Sequence, residues 1–123
     1  MIGYTSLGTN NLKQSAAFYD ALLADLNARR IMEFDDFIVW GTGTDSPSFS
    51  IHIPFDGRPA SIGNGVMVAL SANSRAQVDA VYRKAISLGA ADEGKPGQRA
   101  ENGFYAAYFR DPDGNKLNLH HMG

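Results

Sequence analysis

The sequence predicts an α+β fold: two βαβββ modules whose curled mixed sheets surround a cleft. Three observations lead there. The 123 residues suit one domain. Strand-like and helix-like stretches follow in the order strand, helix, three strands, and that order occurs twice. The two halves also repeat at a fixed interval. Asn11 and Ser74, Gln14 and Gln77, Tyr19 and Tyr82, and Tyr4 and Met67 are each 63 positions apart. Beyond the first helix the interval becomes 68, pairing Trp40 with Tyr108, Ser50 with Asn118 and His52 with His120.

Each element has its own warrant. Residues 2–9 form a short β-type run in which Thr5, Leu7 and Thr9 share one parity and Tyr4 and Ser6 the other. Asn11 followed by Gln14 is a helix-start signal. Leu12, Ala16, Tyr19, Leu22, Leu23 and Leu26 then recur at helical spacing, which predicts a helix over about 12–26. Strands are expected at Arg30–Phe34, Phe37–Gly41 and Ser48–Pro54. The Gly- and Pro-rich stretch 55–63 reads as a linker between modules 1–54 and 64–123.

The second module opens with alternation at Val66–Ser71. Ser74 and Gln77 then cap a helix carrying Val78, Val81, Ala85 and Leu88, which Gly89 ends. Residues 91–103 carry Gly, Pro and charge, and read as loop with a weak strand. Gly103–Arg110 and Lys116–His121 read as strands joined by the tight turn Asp111-Pro112-Asp113-Gly114-Asn115.

Composition narrows the function classes. The chain is 44% hydrophobic and 20% charged, as in ordinary globular domains. It has no cysteine, which removes disulfides, thiolate metal sites and thiol nucleophiles. Eleven Lys and Arg against thirteen Asp and Glu, with no basic run, argue against a nucleic-acid partner. No apolar run reaches the ~18 residues of a membrane helix, and the start lacks signal-peptide character, so the expected location is the cytoplasm.

In a βαβββ unit the helix covers one parity of the sheet and leaves the other open. Apolar character assigns Thr5, Leu7, Thr9, Phe37, Val39, Val66, Val68, Leu70, Tyr105, Ala107, Phe109, Leu117 and Leu119 to the helix side. The open set is then Tyr4, Ser6, Ile38, Trp40, Ser50, His52, Met67, Ala69, Phe104, Ala106, Tyr108, Asn118 and His120. A one-residue slip in register would invert any strand. Asp35-Asp36 between two strands reads as a hairpin turn, and His121, of the other parity near the end, as a solvated residue.

The run Tyr108-Phe109-Arg110-Asp111-Pro112-Asp113-Gly114-Asn115-Lys116-Leu117 resembles the C-terminal signature of the glyoxalase/bleomycin-resistance/extradiol-dioxygenase group, the vicinal oxygen chelate superfamily. Leu7 through Asn11-Leu12 to Ala17-Phe18-Tyr19 resembles that group's first strand and helix, and the doubled module is its plan. The resemblance implies a cleft holding a divalent metal on His, Glu or Gln side chains, which chelates vicinal oxygens of a substrate. Here the matching positions hold Tyr4, Ser50, Met67 and Asn118. A phenol, a hydroxyl, a thioether and a neutral amide make a poor divalent-metal set.

The expected function is therefore binding of a small organic ligand or substrate without the usual metal. Tyr4, Trp40, Met67, Tyr108 and Asn118 are the ligand-binding candidates, and His52 and His120 the acid–base candidates, since imidazole titrates near working pH. A metal-dependent lyase, isomerase or dioxygenase with an altered ligand set built on His52 and His120 is the alternative. A non-enzymatic binding or sequestration protein is a second. A homodimer is expected, with no nucleic acid and no membrane partner.

Overall fold

The computed structural model describes residues 1–123 and divides into two compact units, Met1–Ile62 and Gly63–Gly123. The first contains β1 (Tyr4–Gly8), α1 (Leu12–Ala24), β2 (Arg29–Glu33), β3 (Phe37–Gly41) and β4 (Ser48–His52). The second contains β5 (Val68–Ser71), α2 (Arg75–Ser87), β6 (Ala91–Gln98), β7 (Tyr105–Arg110) and β8 (Lys116–His121). No helix is long and apolar enough to cross a membrane.

Both sheets have one topology. The strand orders are β1-β4-β3-β2 and β5-β8-β7-β6. In each, the first strand runs parallel to the last and the other pairings are antiparallel. Registers repeat as well: Ser6 faces Ser50 and Leu7 faces Ile51, while Ala69 faces Asn118 and Leu70 faces Leu119. Those pairs obey the intervals of 63 and 68 seen in the sequence.

The helices start where their caps place them. Asn11 accepts a hydrogen bond from the Gln14 N–H and Ser74 from the Gln77 N–H, each at 3.0 Å. The Gln77 amide oxygen in turn accepts from the N–H of Asn73, the residue before the cap, at 2.7 Å. At the other end of α2, Gly89 takes φ 102, the left-handed conformation in which a Cβ is costly.

Each helix buries one stripe on one sheet face. From α1, Phe18, Tyr19, Leu22 and Leu23 are buried, as are Ile38, Trp40, Phe49 and Ile51 of β3 and β4. The Tyr19 ring lies 4.6 Å from Phe49 and 5.9 Å from Trp40, centroid to centroid. In the second unit α2 packs on β6, β7 and β8, and Val78, Val81, Tyr82, Ala85, Ala107, Phe109, Leu117 and Leu119 are buried. Burial pushes the Tyr82 phenol up to about 12, helped by its hydrogen bond to the Asp92 carboxylate.

Three expectations change. Residues 91–98 form an eight-residue strand rather than a loop with a weak strand. Its register shifts between Asp92 and Gly94 and again between Gly94 and Gly97. As an edge strand with few apolar residues and an internal Pro, it lacks the alternation that sequence reading needs. Strand β5 begins at Val68, leaving Val66 outside it and exposed. The third change concerns β3. Ile38 and Trp40 lie on the helix side, and Phe37 and Val39 on the open side, because Val39 faces Ser50 and Phe37 faces His52.

Unequal hairpins explain that inversion. Trp40 pairs with Phe49, nine positions on, whereas Phe109 pairs with Leu117, eight positions on. The β3–β4 connection is one residue longer, so the interval of 68 holds for β4 and β8 but becomes 69 for β3 and β7. Trp40 thus corresponds to the core residue Phe109, and Val39 to Tyr108.

The stretch after β4 is held to the first unit. The Asn10 side chain accepts from the Ala60 N–H at 2.6 Å and donates to the Ala60 carbonyl at 3.1 Å. Gly8 permits the approach: a Cβ there would lie 3.1 Å from the Ala60 Cβ.

Candidate functional site

The open face of the first sheet carries the site that can be described in most detail. Tyr4 and Ser6 of β1, Phe37 of β3, and Ser50 and His52 of β4 line a cavity of about 350 Å³, joined by Asp36, Ile53 and Phe55. A second, more apolar cavity of about 260 Å³ shares Tyr4 and Phe37 with it and adds Ile31, Met32 and Val39. Strand alternation puts Tyr4, Ser6, Phe37, Val39, Ser50 and His52 on the face α1 does not cover.

His52 lines the first cavity. Its Nδ1 lies 2.6 Å from the Ser6 hydroxyl oxygen. If the hydroxyl donates into Nδ1, the neutral ring carries its proton on Nε2, which is then a hydrogen-bond donor. If Nδ1 carries the proton and donates to the hydroxyl, Nε2 is free to accept one. The ring thus offers Nε2 as a donor in one tautomer and as an acceptor in the other. Ser50 is spent locally, donating its hydroxyl to the Thr5 carbonyl at 2.8 Å.

On the open face of the second sheet, Tyr108 lies opposite Asn118 and Ala106 opposite His120. The Asn118 amide oxygen is 3.1 Å from His120 Nδ1, which donates to it. The Phe104 ring stands 5.7 Å from the His120 ring. Met67 precedes β5 and is exposed.

Of the residues proposed from sequence, Tyr4 and His52 therefore share a cavity, and Tyr108, Asn118 and His120 share a sheet face. Trp40 belongs to neither. It is buried against α1, and its indole N–H donates to the Asp20 carboxylate at 2.9 Å. Sequence reading missed Phe37, placed with the helix by the hairpin slip, and Phe55, assigned to the linker. It read Asp36 only as a turn residue. Counting back from His52 across the hairpin with one more loop residue would have recovered Phe37.

The donor chemistry does not fit the family's divalent metal. No three His, Cys, Asp or Glu side chains come together in a group that could hold an ion. At the expected positions Ser50 is already committed to a backbone carbonyl, and Tyr4, Met67 and Asn118 bring no carboxylate or imidazole.

Doubled βαβββ units, each with an open sheet face bearing polar and aromatic side chains, define a class of folds built on one repeated module. A model of the Glyoxalase/Bleomycin resistance protein/Dioxygenase superfamily matches residues 1–119, and the chain belongs to that superfamily. It is similar to the crystal structure of a glyoxalase/bleomycin resistance protein from Albidiferax ferrireducens T118. The identity is 35% and the TM-score 0.91, covering 100% of this chain and 99% of that one. A family enzyme from Burkholderia phytofirmans PsJN matches at 17% identity and TM-score 0.79, covering 98% of each chain. Lactoylglutathione lyase from Agrobacterium tumefaciens matches at 20% and 0.70, covering 98% of this chain and 92% of that one. The last two show the fold alone. No curated protein matches the chain.

Proposed function

We propose that the protein binds a small organic ligand on the open faces of its sheets, without a divalent metal at the family's usual positions, and that His52 supplies acid–base chemistry there. The cavity lined by Tyr4, Phe37 and His52 carries this reading: a mostly apolar wall with a few convergent polar groups is the form of a small-molecule site. In the second unit Met67, Tyr108, Asn118 and His120 form a binding surface of their own, with His120 the counterpart of His52. The partner is a second copy of the chain. Ile31, Met32 and Phe34, in and just after the outer strand β2, are about half exposed and offer it an apolar surface.

A thermal-shift screen of small planar and hydrophobic compounds tests the proposal. At least one compound should raise the Tm of the wild type and lose its effect in the double variant Tyr4→Ala/His52→Ala. Equal shifts in both proteins would remove the site assignment. A monomer at micromolar concentration in sedimentation would remove the dimer. The metal-dependent alternative rests on one observation, that His52 and His120 occupy equivalent register positions in the two sheets.

A further inference from the structure

The two open faces differ in charge. On the first sheet, the equivalents of Lys116, Asn118 and His120 are Ser48, Ser50 and His52, and no cation lines either cavity. On the second, Lys116 shares its face with Asn118 and His120, being two and four positions before them on one strand. Its ammonium lies 5.5 Å from the centre of the Tyr108 ring. The Arg99 guanidinium lies 5.5 Å from the same centre.

Two cations are thus gathered on one ring, and neither forms an ion pair. The neighbouring acids are taken: Asp92 accepts from the Tyr82 hydroxyl and the Gly94 N–H, and Glu93 pairs with Arg110. Tyr108 offsets part of the repulsion through its ring face. A third charge of opposite sign would offset the rest.

Arg99 is also held in place. Its Nη2 donates to the Lys95 carbonyl at 2.5 Å. The guanidinium lies over two glycines of β6. A Cβ on Gly97 would come within 2.8 Å of Nη1, and one on Gly94 within 3.3 Å of Nη2. A side chain at Gly97 would make the guanidinium shift, and one at Gly94 would crowd it by a few tenths of an ångström. A planar fork fixed this way is suited to an oxyanion.

We propose that Arg99 and Lys116, flanking Tyr108 on the open face of the second sheet, bind the anionic group of a small organic acid, a carboxylate or a phosphate ester. This rests on the reading of the open faces as ligand surface and adds the chemical class of the ligand. The Tyr108 and Phe104 rings supply apolar contact for its carbon part, and Arg99 and Lys116 the charge.

Titration calorimetry of the full chain at low ionic strength tests it, with benzoate and phenyl phosphate as probes and benzamide as the uncharged control. At least one anion should bind, and benzamide about tenfold more weakly or not at all. Arg99→Gln and Lys116→Gln should each weaken the anion by about tenfold. Gly97→Ala keeps every charge but displaces the guanidinium, and should weaken binding comparably. Which anion binds tells carboxylate from phosphate. Binding of benzamide but of neither anion, equal binding of benzamide, or unchanged affinity in Arg99→Gln or Gly97→Ala would overturn the inference. No binding of any of the three compounds to the wild type would instead overturn the reading of the open faces.

Discussion

At the residue scale the sharpest coupling between sequence and stability is Asp20. One carboxylate accepts from the buried Trp40 indole at 2.9 Å and from Arg30 at 2.7 and 2.8 Å. The Arg30 guanidinium holds the Asp20 carboxyl below the usual carboxylate range, with the indole hydrogen bond acting the same way against burial. A group whose folded pKa is depressed stabilises the protein above its unfolded pKa of ~4 and loses that contribution as pH falls through the folded value. The ion pair is half exposed, so its own worth is within ~0.2–1 kcal/mol. Asp20→Asn should cost about that much at pH 7, and the difference should close toward pH 2. Asp20→Ala leaves the Trp40 N–H without its acceptor and should cost about 1–3 kcal/mol. Urea denaturation at pH 7, 4 and 2.5 reads both; a deficit independent of pH in Asp20→Asn would refute the ion-pair account.

At the element scale, turns and caps were the parts most legible in the sequence. The Asp-Pro-Asp-Gly-Asn turn is built around Asp111, which is 4% exposed. Its carboxylate accepts from the Asp113 N–H, the Asn115 N–H and the Asn115 side-chain amide at 2.9–3.0 Å. Gly114 turns the chain at φ 88. Asp111→Ala should therefore cost about 1–3 kcal/mol, since several donors lose one acceptor at once, and Asp111→Asn should recover part of it. A change under about 0.5 kcal/mol in chemical denaturation, the range of ordinary surface substitutions, would mean that water replaces the carboxylate. Local chemistry of this kind lies within five residues and is readable. Register is not local: β3 was misassigned because one extra residue in its hairpin turns every side chain over. Trp40 looked like a cleft aromatic for that reason alone. Strand β6 was hard to read because its glycines make room for Arg99 instead of marking an apolar face.

At the scale of the whole molecule, the repeat explains both what the chain shares with its superfamily and where it departs. Two copies of one topology give two open faces, and the side chains on them have diverged: an imidazole beside a hydroxyl on the first, two cations around a phenol on the second. At the positions that the resemblance assigns to metal ligands the chain holds Tyr4, Ser50, Met67 and Asn118, a poor donor set for a divalent ion. Untagged protein should therefore purify without stoichiometric Zn, Ni, Fe or Mn, and none of these ions should raise its Tm. The second measurement guards against loss of metal during purification. An ion bound only by the folded chain stabilises it by mass action, about 2.7 kcal/mol at a hundredfold excess over Kd. About one metal per chain, or a clear rise in Tm, would refute the donor-set argument. His52 and His120 would then be the leading ligands, because they are the imidazoles that the repeat sets at equivalent places. The open faces would then be those of a metal-dependent lyase, isomerase or dioxygenase.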